Sequence, residues 1–187
     1  GQVASGIVRV GDEVVVRASG KRTHVRSIVT FEGECPSAVA GESVTLCLAD
    51  EIDISRGDML CHPNNLPAFS REVEAMLVWM NDSPMLPGRS YLIKHTTRTV
   101  RGVVSVLRYR VDPDTLHRQA CETLALNEIG RVGIELFQPI AWDAYAGNRA
   151  TGALVVIDPA THATVGAGML IDRQIQAPTV ACVAGSM

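Results

Sequence analysis

The most constraining feature of this chain is the brevity of its apolar runs, each closed by Gly, Pro or Asp and several alternating with polar residues at a period of two. Val8 and Val10 flank Arg9, Val10-Gly11-Asp12-Glu13 carries turn chemistry, and Val14-Val15-Val16 follows, a hairpin-like start. Ser19-Gly20 makes the next turn. Residues 22–31 then place Arg22, His24 and Arg26 on one face, with Val25, Val29 and Phe31 toward the other, as in a half-buried strand. Residues 43–48 alternate in the same way, with Val44, Leu46 and Leu48 against Ser43, Thr45 and Cys47.

The run Cys-His-Pro-Asn-Asn-Leu-Pro at 61–67 has the composition of a connector, because its two prolines resist both helix and ladder. Beyond it, apolar runs at 75–80, 91–93, 103–107, 132–137, 153–157 and 165–171 are separated by Gly, Pro and Asp turns. That density of strands suggests a closed or sandwiched β-domain. One weakly periodic stretch, residues 114–126 with Leu116, Ala120 and Leu124, is the single place where a helix is expected. The fold expected is all-β, as two small barrels, with domains at 1–65 and 66–172. Residues 173–187, which lose charge and clear patterning from Gln174 onward, are read as a linker or tail.

A chain of 187 residues accommodates two such domains, and 47% apolar and 20% charged residues fit a folded, soluble protein. A net charge of −3 argues against a strong nucleic-acid partner, since phosphate binding needs clustered Lys and Arg. Five cysteines form an odd set without a C-x-x-C pair, which suggests neither a disulfide framework nor a zinc ribbon and makes a reducing cytoplasm the simplest compartment. No run approaches the 18 or so apolar residues of a membrane span, and the first residues lack a charged leader, so neither a membrane nor secretion is expected.

Candidate chemistry is sparse. The two lysines, Lys21 and Lys94, do not stand in a G-x-x-x-x-G-K-[ST] loop, so no GTP site of that kind is expected here. Metalloprotease, α/β-hydrolase and dinucleotide fingerprints are also missing, and no catalytic residue is assigned. Cys61-His62 is a poor metal pair, because adjacency gives bad ligand geometry and no third or fourth ligand can be placed. Two clusters are candidate partner contacts: Arg22, His24 and Arg26, alongside Arg17 and Lys21, and the stretch with Lys94, His95 and Arg98. The plainer readings are a solvated face for the first and a strand end entering a loop for the second. Trp79 and Trp142, beside polar turns, are expected to pack in a core or between domains.

Several segments resemble a known group. Gly1-x-Val3-x-Ser5-Gly6 with Val10-Gly11-Asp12-Glu13-Val14, and Asp53-Ile-Ser-Arg-Gly-Asp58, are similar to the second-domain barrel of translational-type GTPases such as elongation factor Tu. Thr164-Val-Gly-Ala-Gly-Met169 resembles the last strand of their third domain. Ile28-Val-Thr-Phe31, Asp50-Glu-Ile-Asp-Ile54, Trp79-Met80, Tyr91-Leu-Ile-Lys-His-Thr-Thr-Arg98 and Leu126-Asn-Glu-Ile-Gly130 narrow the match. With Asp143-x-Tyr145-x-x-Asn148-Arg149-x-Thr151-Gly152 and Asp158, they resemble the large GTPase subunit of bacterial sulfate adenylyltransferase.

That resemblance implies a complex making adenylyl sulfate and diphosphate from ATP and sulfate, driven by GTP hydrolysis. It places GTP and Mg in a GTP-binding domain outside this chain, leaves this chain without a cofactor, and puts the first strand of the first barrel upstream, with an exposed edge. The implied partners are that GTP-binding domain and the separate catalytic subunit, to which the barrels relay nucleotide state. An adenylyl-sulfate kinase domain follows in some members. The competing reading is a pair of RNA-binding barrels, as the same domains hold tRNA in elongation factors.

Overall fold

A computed structural model describes residues 1–172. Its strands are β1 (Ile7–Arg9), β2 (Glu13–Val16), β3 (Arg22–Thr30), β4 (Gly33–Cys35), β5 (Ser37–Val39), β6 (Thr45–Leu48) and β7 (Leu60–Cys61), then β8 (Ala68–Trp79), β9 (Ser90–His95), β10 (Arg98–Val111), β11 (Arg118–Gln119), β12 (Ile129–Trp142), β13 (Ala153–Ile157) and β14 (Thr164–Ile171). No helix occurs among the described residues, and the chain is two β-barrel units, as its alternating pattern implies.

The first unit is built around β3. This strand pairs with β2, β4 and β6, and β2 continues to β7, while β1 and β5 form a separate two-stranded ladder. Its alternation holds from Arg22 to Arg26 and slips at an irregularity between Val25 and Ser27: Thr23, Val25 and Ile28 turn inward, whereas Arg22, His24 and Arg26 face outward. Val14, Val25, Ile28, Ala38 and Val44 make its small core. Phe31, expected on the inner side, is instead fully exposed, because β3 ends at Thr30 and the chain turns there into β4.

The second unit closes on itself. In order around the ring, β10, β12, β8, β14, β13 and β9 pair antiparallel, and β9 returns to β10, while β11 adds to the outside of β10. Closure removes every strand edge within the ring. One continuous core fills it, including Val73, Ala75, Leu77 and Trp79 from β8 and Val132, Ile134 and Leu136 from β12. Burying such side chains contributes on the order of 1.5–3 kcal/mol each. Both tryptophans serve this core as expected: Trp79 meets Tyr91 edge-on at 5.7 Å and donates its indole N–H to the Ser83 carbonyl at 2.7 Å. Trp142 donates to Ser70 Oγ at 3.0 Å.

The helix expected at 114–126 is absent. Asp112 Oδ1 accepts from the backbone N–H of Asp114 and Thr115, and Leu116 adopts a left-handed φ of 57°. This turn stops helical propagation and delivers the chain to β11. Leu116 is consequently exposed, whereas Leu124 is buried in the barrel core, bridged to Met85. The expected tail beyond residue 172 lies outside the described residues.

Candidate contact surface and the junction between units

The first candidate cluster lies on the outer face of β3. Arg22, His24 and Arg26 are all exposed, one step of two apart, so the strand pleat presents them as a row. Arg22 is not free: its Nη1 lies 3.2 Å from Glu13 Oε1 on β2. The pair is well exposed, so its energetic weight is small.

The second cluster is split by the fold. Lys94 stands exposed on β9, but its neighbour His95 points into the barrel and is only 2% exposed. There its Nε2 bonds to the Thr151 carbonyl at 2.8 Å. Burial lowers the His95 pKa, with the Thr151 contact and nearby Asp143 opposing that shift. His95 is therefore an interior residue rather than a partner contact, because strand alternation turns it inward between Lys94 and the β9–β10 turn. Arg98 faces the first unit: Nη2 donates to Gln138 Oε1 at 3.2 Å and Nη1 lies 3.9 Å from Asp58 Oδ1. The structure does not bring the two clusters into one site.

Polar residues missed by sequence reading lie on the outer faces of β8 and β12. Glu74 and Arg131, each almost completely buried, form an ion pair, and Arg108 adds a second guanidinium to the other Glu74 oxygen at 2.6 Å. Burial would raise the Glu74 pKa, but hydrogen bonds from Arg131 and Arg108 outweigh it and hold the carboxyl below its usual range. Burial likewise opposes charge on Arg131, and its bonds to Glu74 and Tyr109 more than compensate.

At the junction, Cys61 is buried, and burial followed by nearby Asp143 pushes its thiol up to about 11, despite Arg17. A thiol held protonated is a poor nucleophile and metal ligand. Asp143 is bound by the Thr151 hydroxyl at 2.5 Å in the loop that follows β12. Gly152 fits there because an added Cβ would stand 2.4 Å from the Tyr145 Cα. Among the described residues no cluster of three or more His, Cys, Asp and Glu side chains could hold a metal ion. No described helix is long and apolar enough to cross a membrane.

This architecture has close counterparts. Residues 72–171, nearly all of the closed barrel, match the family described as GTP-eEF1A C-terminal domain-like. The chain belongs to that family. Residues 1–61 match elongation factor Tu domain 2. Among curated relatives, the "Bifunctional enzyme CysN/CysC" of Rhodopirellula baltica is 52% identical over 92% of this chain and 27% of its own length. "Sulfate adenylyltransferase subunit 1" of Bacteroides fragilis is 48% identical over 92% of the chain and 36% of its own length. The "Bifunctional enzyme NodQ" of a Rhizobium species is 46% identical over 91% and 27%. The resemblance to the sulfate adenylyltransferase GTPase subunit read from the residues is thus shown, and the chain spans between about a quarter and somewhat over a third of these relatives. A solved structure of sup35 complexed with GDP superposes with a TM-score of 0.83 at 18% identity, covering 92% of this chain and 43% of that one, a likeness of fold.

Proposed function

We propose that this chain is the β-barrel part of the GTP-hydrolysing regulatory subunit of a sulfate adenylyltransferase, acting in the cytoplasm. The division proposed is 1–65 and 66–172. The observation that carries this reading is identity of 47–48% to relatives named sulfate adenylyltransferase subunit 1 across more than nine-tenths of the chain. In this reading GTP and Mg bind a separate GTP-binding domain, and the catalytic subunit makes adenylyl sulfate and diphosphate from ATP and sulfate. The barrels perform no bond chemistry; they move as a body when nucleotide state changes and carry that change to the catalytic subunit. Support for a passive role comes from three buried polar residues, Glu74, Arg131 and His95, which are bonded to the fold itself. An adenylyl-sulfate kinase domain, as in a CysN/CysC-type fusion, is compatible with the same role. Exposed Arg22, His24, Arg26 and Lys94 are the proposed contacts.

Capture of this chain by the catalytic subunit, beside the complete GTPase subunit as a control, tests the reading. Retention supports docking on the barrels; loss with the control retained and β-sheet circular dichroism intact removes it. The rival RNA-binding reading draws on the row of Arg22, His24 and Arg26. It requires binding of labelled RNA that weakens steeply as salt rises.

A further inference from the structure

Each barrel extends one arginine onto the other, and we infer that Arg17 and Arg98 form a reciprocal clasp that fixes the relative orientation of the two units. This rests on the reading of the barrels as one moving body and names what makes them one. Arg17 leaves the end of β2, its own N–H held by the Met59 carbonyl at 2.8 Å. Its Nε donates to the Pro67 carbonyl at 2.7 Å, and its guanidinium lies 5.3 Å from the centroid of Phe69 on β8. A planar, weakly hydrated cation over an aromatic face is suited to such a half-buried contact.

Arg98 reaches the opposite way, from the start of β10. Its receptor is a built turn: Asp58 Oδ2 accepts from the Ser55 N–H at 2.8 Å, and the Asp58 N–H donates to the Ser55 carbonyl at 3.0 Å. Gly57 within that turn has a φ of 97° and abuts the aliphatic stem of Arg98. A Cβ added there would lie 2.8 Å from Arg98 Cβ and 3.0 Å from Cγ. Glycine thus serves twice, supplying the left-handed turn and leaving room for the stem. The head of Arg98 then bridges Asp58 of the first unit and Gln138 of the second. The chain between the two contacts, residues 59–67, is short and holds β7 and two prolines, and a tether of that kind still permits hinging unless both flanks are held.

The test is nitrogen-15 relaxation of the full 187-residue chain, without nucleotide or partner, so that its outcome is independent of docking to the catalytic subunit. The wild type is expected to give one set of rotational-diffusion parameters for amides of both barrels. Arg17→Ala combined with Arg98→Ala is expected to give two sets, with faster tumbling of the smaller first barrel, while core amide shifts of each barrel stay in place. Gly57→Ala, a change confined to a surface turn, should loosen the pair in the same direction if the double variant folds poorly. One common set of parameters in both variants would overturn the clasp. Loss of catalytic-subunit capture with the clasp intact would instead count against the proposed function alone.

Discussion

The two barrels solve one problem unequally. The second closes six strands into a ring around a continuous core, whereas the first divides its strands between a sheet centred on β3 and the separate β1–β5 ladder. Closure leaves few ways for a ring to relax around a missing side chain, while an open sheet can shift a strand inward. Ile134 and Ile28 make the contrast measurable, since both are fully buried. Ile134→Ala is expected to cost toward the upper end of the ~2–5 kcal/mol seen for such truncations, and Ile28→Ala toward the lower end. Urea titration followed by hydrogen exchange in each barrel reads the two separately. Equal losses would erase the distinction.

A smaller effect sharpens it from the side of charge. His95 and Glu74 both belong to the second barrel, and both have pKa values lowered by the fold. For a lowered pKa the unfolded chain binds the proton more readily, so the stabilisation is present above the unfolded value and lost as pH falls through the folded one. The His95 contribution should therefore fade as pH drops below about 6.5, and the Glu74 contribution below about 4.5. Denaturation monitored by Trp79 and Trp142 fluorescence should show both steps, and His95→Gln should remove the upper one. A flat profile from neutrality to pH 5 would contradict the burial of a neutral imidazole.

What the sequence disclosed follows the same divide between local and distant causes. Period-two alternation revealed β3 and the outward row of Arg22, His24 and Arg26, because strand pleating is a local property. The true length of β8 was not legible. Glu74 interrupts its apolar pattern, and only pairing with Arg131, 57 residues away, makes that charge tolerable there. The helix expected at 114–126 failed on a local signal that was present, the turn chemistry of Asp112-Pro113, which outweighs a poor helical period. His95 looked like surface because polar residues surround it in sequence. Its partner, the Thr151 carbonyl, comes from a loop 56 residues on. The role of Arg17 was hidden for the same reason, since Phe69 meets it only once both barrels are folded. Family resemblance reached what local patterns did not, because it rested on segments scattered along the whole chain.

The relay itself is tested most directly in the complete GTPase subunit bearing Arg17→Ala and Arg98→Ala, assayed with the catalytic subunit for adenylyl sulfate formed per GTP hydrolysed. The account predicts that GTP hydrolysis persists while the yield of adenylyl sulfate per GTP falls, because loosened barrels no longer pass the change on. An unchanged yield in a variant whose barrels tumble independently would contradict it.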